Sequence, residues 1–457
     1  MDLDPKRFTR LITFFSLGVI ALAATLEAGL SGFGSSRAIG GVMIDGSGVV
    51  RSATIDEQQE LANLVRQGLD PLHGELGEAA ELRMISLKGL QGAILKSSQS
   101  GAMIPDEVEY LAGLQRVEYV FVNAEKNDII IAGPAEPWKM RDDGSVVGKI
   151  TGGATMRLAD LMVAIQSVES ARREGITCSI EPTPEGRRSL QQLLKRVKLR
   201  PGQNPAMLEA SMKEAYGPQM ILLTGVQGDS RYARTLVAAD YEMKRVAMGL
   251  RDSPLENLPS YLAMSRNSRH GSRSNPRWWM ACDYDSLTKS EDGLSWKLTG
   301  QGVKTMTEQD VIASDGSAKG AGTVDKVAQQ WADAMTENFT DLAREMPIFA
   351  DLQNLMDMTV VATLISQEGL ANKAGIDLGV LSGEKEAVEL ASYSVPRAVD
   401  PQCSFIRGRS GWVVTASGGV DINAFEIVEK STTEQGIAET RTAALAAATS
   451  DRWWWNK

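Results

Sequence analysis

The chain has 457 residues, 43% of them hydrophobic, which is enough for a buried core and for two or three domains. A formal net charge of -10 argues against broad nucleic-acid binding, which needs a basic surface. Two histidines are too few for a His-rich metal site, and no cofactor is predicted. Cys178, Cys282 and Cys403 are far apart, so one disulfide plus a free thiol and three buried free thiols both remain open.

A targeting signal is predicted at residues 1–28. Three basic residues among the first ten precede the apolar run 11–24, and Ala21 and Ala23 form a small-x-small cleavage pattern. The run is short for a membrane span, so a removed signal peptide is favoured over an N-terminal anchor. Both interpretations predict export to the periplasm, the cell envelope or the extracellular space.

The section after this signal is predicted to be rich in β-hairpins. Apolar runs at 39–45 and 49–51 flank a glycine-rich turn, and runs at 117–122 and 129–132 flank a polar turn. A helix is predicted at 57–67, where apolar residues have helical spacing.

Strands and helices alternate in the next section, which predicts an α/β layer. Helices are predicted at 158–172 and 184–197, on either side of a strand at 176–180. The apolar run 220–224, closed by Gly225, predicts a buried strand.

The loop after that strand is the most informative stretch of the chain. Gly225 and Gly228 predict the loop, and Asp229 or Ser230 can cap a helix that continues to about Leu250. Backbone N–H groups at such a position favour an anion, so these four loop residues are candidates for binding an anion or phosphate. The sequence matches neither G-x-x-x-x-G-K-[ST] nor G-x-G-x-x-G, so the signal is unspecific.

Asp240 and Lys244 are four residues apart on the apolar side of this helix, in the order that favours an ion pair. The favoured interpretation is a pair at the edge of the packed face, contributing about 0.3–0.5 kcal/mol. The alternative is a buried ion pair, which would be costly to break and would specify geometry or a site.

Residues 265–276 contain no apolar side chain and are basic in an acidic protein. They are predicted to form a solvated linker between domains. Through Arg266, Arg269 and Arg273 they could instead bind an anionic surface polymer or lipid head group.

The last third is predicted to combine a helical hairpin with strands. Apolar residues have helical spacing through 323–370, and Pro347 is predicted to divide this tract into two helices. The stripe of Trp, Met and other apolar side chains on these helices is interpreted as core. Strands are predicted at 403–406, 412–415 and 420–422.

The tail ends in Trp453, Trp454 and Trp455. An exposed aromatic cluster is typical of a contact site, so these residues are predicted to dock onto another molecule.

The predicted fold class is α/β in a mixed α+β form, with a sheet-containing core, β-hairpins, a helical hairpin and a β-rich C-terminal section. The predicted segments are 1–28 (signal peptide or anchor), 37–150 (β-hairpin domain), 151–264 (α/β domain), 265–276 (basic linker), 277–430 (β-rich and helical-hairpin domain) and 431–457 (tail).

No catalytic residue is predicted. A G-x-S-x-G elbow is absent, and His73 and His270 offer few ways to build a Ser–His or Cys–His pair. Asp283 and Asp285 would share one face of a strand and could bind a divalent cation, but an acidic turn is the favoured interpretation.

Several segments resemble a known family. They are GGVMIDGSGVV (40–50), VEYVFVNAEKNDIIIAGPAEPW (117–138), CSIEPTPEG (178–186), GVQGDSRYARTLVAADYEMKRVAMGL (225–250) with LPSYL (258–262), and SGGVDI (417–422). These segments are similar to motifs of a planctomycete family of exported proteins known as domain of unknown function 1598, over about residues 40–425. The resemblance implies an exported, envelope-associated protein and carries over no catalytic residue.

The predicted function is that of an exported, non-catalytic envelope or cell-surface protein that acts through protein–protein contact. Its predicted partners are copies of itself, as a homo-oligomer, or other envelope proteins. The alternative is a hydrolase or an anion-binding enzyme that uses the unit Gly225–Lys244. In a third interpretation, the basic segment 265–276 binds an anionic surface polymer.

Overall fold

A computed structural model shows two large mixed β-sheets with helices packed against them. It describes residues 38–457 except 67, 68, 70, 198–204, 268–274, 313–317, 321, 386, 403, 405, 409, 410, 414, 415 and 449–451. The predicted targeting signal and Cys403 therefore lie outside the described residues. The predicted mixed α+β class is confirmed.

The strands of the described chain are β1 (Val42–Ile44), β2 (Val49–Ser52), β3 (Ala80–Ser86), β4 (Tyr119–Asn123), β5 (Asp128–Ala135), β6 (Trp138–Met140), β7 (Val146–Gly148), β8 (Ile176–Pro182), β9 (Gln219–Thr224), β10 (Asn275–Asp283), β11 (Leu287–Lys289), β12 (Ser295–Lys297), β13 (Gly302–Ile312), β14 (Ala318–Gly320), β15 (Ala398–Val399), β16 (Ile406–Gly408), β17 (Gly411–Val413), β18 (Ser417–Ile422), β19 (Ser431–Thr433) and β20 (Trp454–Asn456).

The helices are α1 (Ile55–Arg66), α2 (Leu87–Ser100), α3 (Asp106–Glu109), α4 (Leu158–Gln166), α5 (Val168–Glu174), α6 (Pro184–Arg196), α7 (Glu209–Tyr216), α8 (Arg231–Ala247), α9 (Tyr261–Asn267), α10 (Lys326–Glu337), α11 (Phe339–Glu345), α12 (Pro347–Gln367), α13 (Leu370–Ala374), α14 (Ala424–Glu429) and α15 (Gly436–Ala446). Short 3₁₀ turns occur at Gly74–Gly77, Leu111–Gly113 and Pro205–Leu208.

Local signals in the sequence set many of these boundaries. Both predicted hairpins are confirmed, because β1 pairs antiparallel with β2 and β4 with β5. Helix α6 begins at Pro184 after the cap residue Thr183, and α12 begins at Pro347. The helix predicted at 158–172 is two helices, α4 and α5, joined at Ser167.

The nine-stranded sheet has the order β1-β2-β15-β9-β8-β18-β10-β13-β14. It takes strands from all three predicted structured segments, so the sheets do not follow the predicted domain boundaries. Helix α9 extends to Asn267 and β10 begins at Asn275, so the predicted linker 265–276 is too long. That connection joins α9 to a strand of the same sheet as β8 and β9, rather than to a strand of a separate sheet.

The seven-stranded sheet has the order β19-β11-β12-β4-β5-β3-β20. Its last strand contains Trp454 and Trp455, and the prediction that Trp453, Trp454 and Trp455 are exposed is wrong, because all three are buried. The tail pairs with the edge of β3, where the indole N–H of Trp455 donates to the carbonyl of Ala444 at 2.9 Å. The guanidinium of Arg83 lies 5.0 Å from the ring centre of Trp454.

Helix α12 lies at the centre of the main core, against α4, α8, α11 and α14. In the described part of the chain it is the one helix with the length and apolar composition of a membrane span, and nearly all of it is buried in the protein. Trp331, Met335 and Phe339 on the preceding helices are fully buried, which confirms that their stripe is core.

Candidate contact surface and ligand cavity

In the part of the chain that the structure describes, one face of the central strands of the nine-stranded sheet is left open. The other face packs on α8, and its side chains, such as Cys178 and Met280, are buried. The residues that alternate with them point the opposite way, since successive side chains on a strand alternate between faces. Leu222 is 58% exposed, Met220 42% and Met306 38%.

The pairing register aligns the open face into rows across five adjacent strands, because directly paired residues point to the same side. The apolar row consists of Leu222, Ser179, Gly419, Trp279 and Met306. Gly419 has no side chain and Ser179 a small one, so the row has a shallow centre between Leu222 and Trp279. A Cβ at Gly419 would lie 1.7 Å from the carbonyl oxygen of Cys178, so this centre cannot be filled by a larger residue.

Polar residues flank the apolar row on both sides. The lysine row consists of Thr224, Thr177, Asp421, Ala281 and Lys304. The arginine row consists of Met220, Glu181, Ser417, Arg277 and Glu308. Arg277 lies 3.7 Å from Glu181 within the arginine row. An apolar stripe between charged margins has the composition of a contact surface.

The prediction that 220–224 is a fully buried strand is wrong. Ile221 is buried, whereas Met220 and Leu222 are exposed on the open face. The run is apolar on both faces, which is typical of a strand covered on both sides. The composition of residues 220–224 therefore does not reveal that the described part of the chain leaves Met220 and Leu222 exposed.

The predicted anion loop is held by contacts within the protein. The hydroxyl of Ser230 accepts the N–H of Ala233 at 3.1 Å and caps α8, as predicted. The carboxylate of Asp229 accepts the hydroxyl of Ser392 at 3.0 Å. Gly225 has φ +76° and a Cβ there would lie 2.2 Å from the carbonyl of Gly175, so it is required by the turn. Gly228 faces Val395 instead of an open space.

A cavity of about 300 Å³ lies beside the start of α8. Arg231 lies on its wall and donates to the carboxylate of Asp160, and to that of Asp351 at 2.8 Å. Burial raises the pKa of Asp160, although Arg231 opposes this shift. Two carboxylates on one guanidinium leave this cluster with a net negative charge.

The remaining walls of the cavity mix apolar and charged side chains. Arg157 lies 3.5 Å from Glu109 and 5.1 Å from the ring centre of Tyr110. The charged residues that line the cavity are Glu109, Asp143, Arg157, Arg231, Asp351 and Glu389. Carboxylates outnumber guanidinium groups, so the electrostatics favour a cationic or neutral ligand over an anion. Gly225, Gly228, Asp229 and Ser230 do not line this cavity, so anion binding by that loop stays a prediction.

Asp240 and Lys244 form a buried pair. The ammonium of Lys244 donates to Asp240 at 2.9 Å, to the carbonyl of Ile180 at 2.9 Å and to that of Gly418 at 3.0 Å. The favoured interpretation of a pair at the edge of the packed face is wrong, because β8 and β18 cover this side of α8. Burial raises the pKa of Asp240 to about 7, against the attraction of Lys244.

The remaining predicted site residues are not brought together. Arg266 is in the last turn of α9, and Arg269 and Arg273 lie outside the described residues. Asp283 ends β10, 3.7 Å from Lys304, and Asp285 is in the three-residue connection to β11. Among the described residues no cluster of His, Cys, Asp or Glu is placed to hold a metal.

Two buried thiols lie on the covered face of the nine-stranded sheet. Cys178 and Cys282 are free cysteines, so they do not pair with each other. Burial raises the pKa of the Cys178 thiol well above its usual value and that of Cys282 to about 12. At neutral pH both are protonated thiols and poor nucleophiles.

A buried cluster around Asp357 on α12 was not predicted. Arg116 donates to its carboxylate at 2.6 and 2.9 Å, Tyr284 at 2.6 Å, and the N–H of Val117 at 3.1 Å. The cluster joins α12 to residues next to β4 and β10. Its members lie 73 to 241 residues from Asp357, so no local pattern could have indicated it.

Comparison with known proteins concerns the segment that contains the loop and α8. No curated protein and no solved structure matches the chain. Residues 178–261 match the model of a family described as protein of unknown function (DUF1598). The segment runs from β8 through α8 to the first residue of α9, and it includes Leu222, Arg231, Asp240 and Lys244. The resemblance to a domain of unknown function is therefore confirmed for residues 178–261.

Proposed function

We propose that this is an exported, non-catalytic protein of the cell envelope or cell surface that works by associating with copies of itself. The observation that carries the proposal is the open face of the nine-stranded sheet. Its apolar row exposes Leu222 and Met306 between two charged rows, and burying such a row from water would favour association.

Export is supported by the basic start, the apolar run 11–24 and the cleavage pattern. The similarity to motifs of a planctomycete exported family supports a planctomycete origin and an envelope location. Fractionation of cells that express the chain with a C-terminal tag tests this part. Tagged protein that stays in the cytoplasm at its full-length mass contradicts it.

The association is tested by the mass of the purified mature protein in solution over a wide range of concentration. We expect a discrete species larger than one chain that dissociates on dilution. A Leu222→Glu variant is expected to shift the mass towards the monomer. The matched control is Met103→Glu, because Met103 is also exposed but lies outside the sheets. A monomer at every concentration contradicts self-association.

The cavity beside α8 favours a second candidate function, binding of a small ligand. Its volume of about 300 Å³ is in the range of small-molecule sites, and its polar groups converge on Arg231. A hydrolase or an anion-binding enzyme in this unit remains the alternative proposal. Thermal unfolding in the presence of inorganic phosphate, and separately of lysine, tests the charge preference. Stabilisation by phosphate alone would favour the anion alternative.

A further inference from the structure

The register of the open face restricts how two copies can meet. Sheets that pack face to face align their strands within about 30°. A symmetric dimer places the same patch of both copies against each other. Two such arrangements bring the apolar row onto itself, one with the two-fold axis across the strands and one with the axis along β18.

With the axis along β18, each row lies over the same row of the second copy in reverse strand order. Leu222 then faces Met306 of the second copy, which is favourable. However, Asp421 lies on the axis and faces Asp421 of the second copy. Like charges opposed across an interface are costly.

With the axis across the strands, the apolar row lies over itself in the same strand order. Leu222, Trp279 and Met306 each meet their own copy, and the backbones at Gly419 can approach closely. The lysine row of one copy then lies over the arginine row of the other. Lys304 faces Glu308 of the second copy, twice by symmetry, and Asp421 faces the neutral Ser417.

The remaining pairs in this second arrangement contain no like charges. Glu181 of one copy faces Thr177 of the other, and Arg277 faces Ala281. The axis along β18 also brings Arg277 onto Glu181 of the second copy, but only the arrangement in which the strands of the two copies run in opposite directions opposes no like charges.

We infer that the open face is a symmetric contact between two copies of this chain, with the two-fold axis across the strands over the apolar row. The inference rests on the proposed self-association and names its surface. The occupant is a second copy because the two charged rows complement each other, whereas a partner of uniform charge would meet like charges in both.

Two experiments on the full mature chain test the geometry. In the first, Met306→Cys is treated with a short bis-maleimide. We expect dimers linked through position 306 alone, because Met306 meets its own copy. The parent chain, which has Cys403 as well as the buried Cys178 and Cys282, gives the background from the native cysteines. The alternative axis predicts crosslinks only when Met306→Cys is mixed with Leu222→Cys.

In the second experiment the charges are exchanged. Lys304→Glu and Glu308→Lys are each expected to weaken the dimer roughly tenfold, and the double variant to recover most of that loss. The two residues are four apart on one strand, so they do not contact each other within a copy. Circular dichroism of each variant verifies the fold, because Lys304 also lies near Asp283.

The outcomes separate the two claims. A monomer at every concentration overturns both the self-association and the contact. An oligomer that withstands Leu222→Glu and both charge variants leaves self-association standing and overturns the contact. A dimer that crosslinks only in the mixture of Met306→Cys with Leu222→Cys overturns the proposed axis.

Discussion

Lys244 donates to Asp240 at 2.9 Å where water does not reach, and its other protons go to the carbonyls of Ile180 and Gly418. The ammonium of Lys244 therefore links α8 to β8 and to β18. These two strands contribute Ser179 and Gly419 to the apolar row. The pair determines where the helix lies on the sheet. This assigns Asp240 and Lys244 a structural role in holding α8 on the strands of the open face.

Replacing one member of this pair is expected to destabilise the fold more than replacing both members with apolar residues. Asp240→Ala or Lys244→Met leaves a buried charge without its partner, which costs about 3–5 kcal/mol. Replacing both, with Asp240→Leu and Lys244→Met, removes both charges and is expected to cost less than the sum of the two. Urea unfolding of the four proteins measures this. Additive losses would show that the residues do not act as a pair.

The pair also predicts a pH dependence. The pKa of Asp240 is about 7 in the folded chain against the usual 3.8, because burial disfavours the charged form. The folded state therefore binds this proton more tightly, and stability from this group is highest below the usual pKa and falls as the pH rises to about 7. Asp240→Asn is expected to flatten that part of the stability curve. An unchanged slope in the variant would argue for a normal pKa.

Arg231 is expected to be needed for folding because it is the ion-pair partner of two buried carboxylates, those of Asp160 and Asp351. Arg231→Met leaves Asp160 and Asp351 uncompensated, at a cost of about 3–5 kcal/mol at neutral pH. Part of the loss is expected to return in acid, because burial raises the pKa of Asp160 and its carboxylate takes up a proton there. The matched control is Arg344→Met, because Arg344 and Asp341 form an exposed pair that is worth little. Thermal unfolding that changes equally in both variants contradicts the assignment.

Tyr284 is expected to contribute through its hydroxyl. Tyr284→Phe removes a hydrogen bond to the buried carboxylate of Asp357 and leaves those from Arg116 and Val117. The loss is expected to be about 1.5–3 kcal/mol, typical of a hydrogen bond to a charged group. Arg116→Met is the more severe change, because it removes the ionic partner. Equal free energies of unfolding for Tyr284→Phe and the parent protein would show that this hydrogen bond does not stabilise the fold.

Removing residues 453–457 is expected to unfold the protein rather than to dissociate an oligomer. Three buried tryptophans are lost and the edge of β3 loses its partner strand, which costs at least about 3–5 kcal/mol. The control is removal of Lys457 alone, which keeps the tryptophans. A truncated protein with parental stability and a smaller mass in solution would restore the tail as a contact site.

Local signals predicted the elements that depend on neighbours in sequence. The turn glycines between β1 and β2, the cap Ser230 and the break at Pro347 all lie where the chain itself limits the backbone. Burial was harder to predict, because it depends on what covers a side chain. Lys244 is buried by strands from two distant parts of the sequence, which its spacing from Asp240 could not reveal.

The candidate contact surface could not be predicted from the sequence for the same reason, because it is built from strands that are distant in sequence. Leu222 and Met306 are 84 residues apart in sequence, and only the pairing of β9, β8, β18, β10 and β13 places them in one row. Composition alone pointed to Trp453–Trp455 as the exposed apolar cluster. Those residues complete a sheet whose neighbouring strand lies at Ala80–Ser86.

The pairing of β20 with β3 also limits when folding can finish. Residues 454–456 pair with residues 83–85, so the seven-stranded sheet lacks an edge strand until the chain between these two strands has been synthesised. Contacts over such a separation form late, since the chain entropy of closing so long a loop opposes them. While residues 86–453 are being synthesised, the strand Ala80–Ser86 therefore waits for the partner that will cover its open edge.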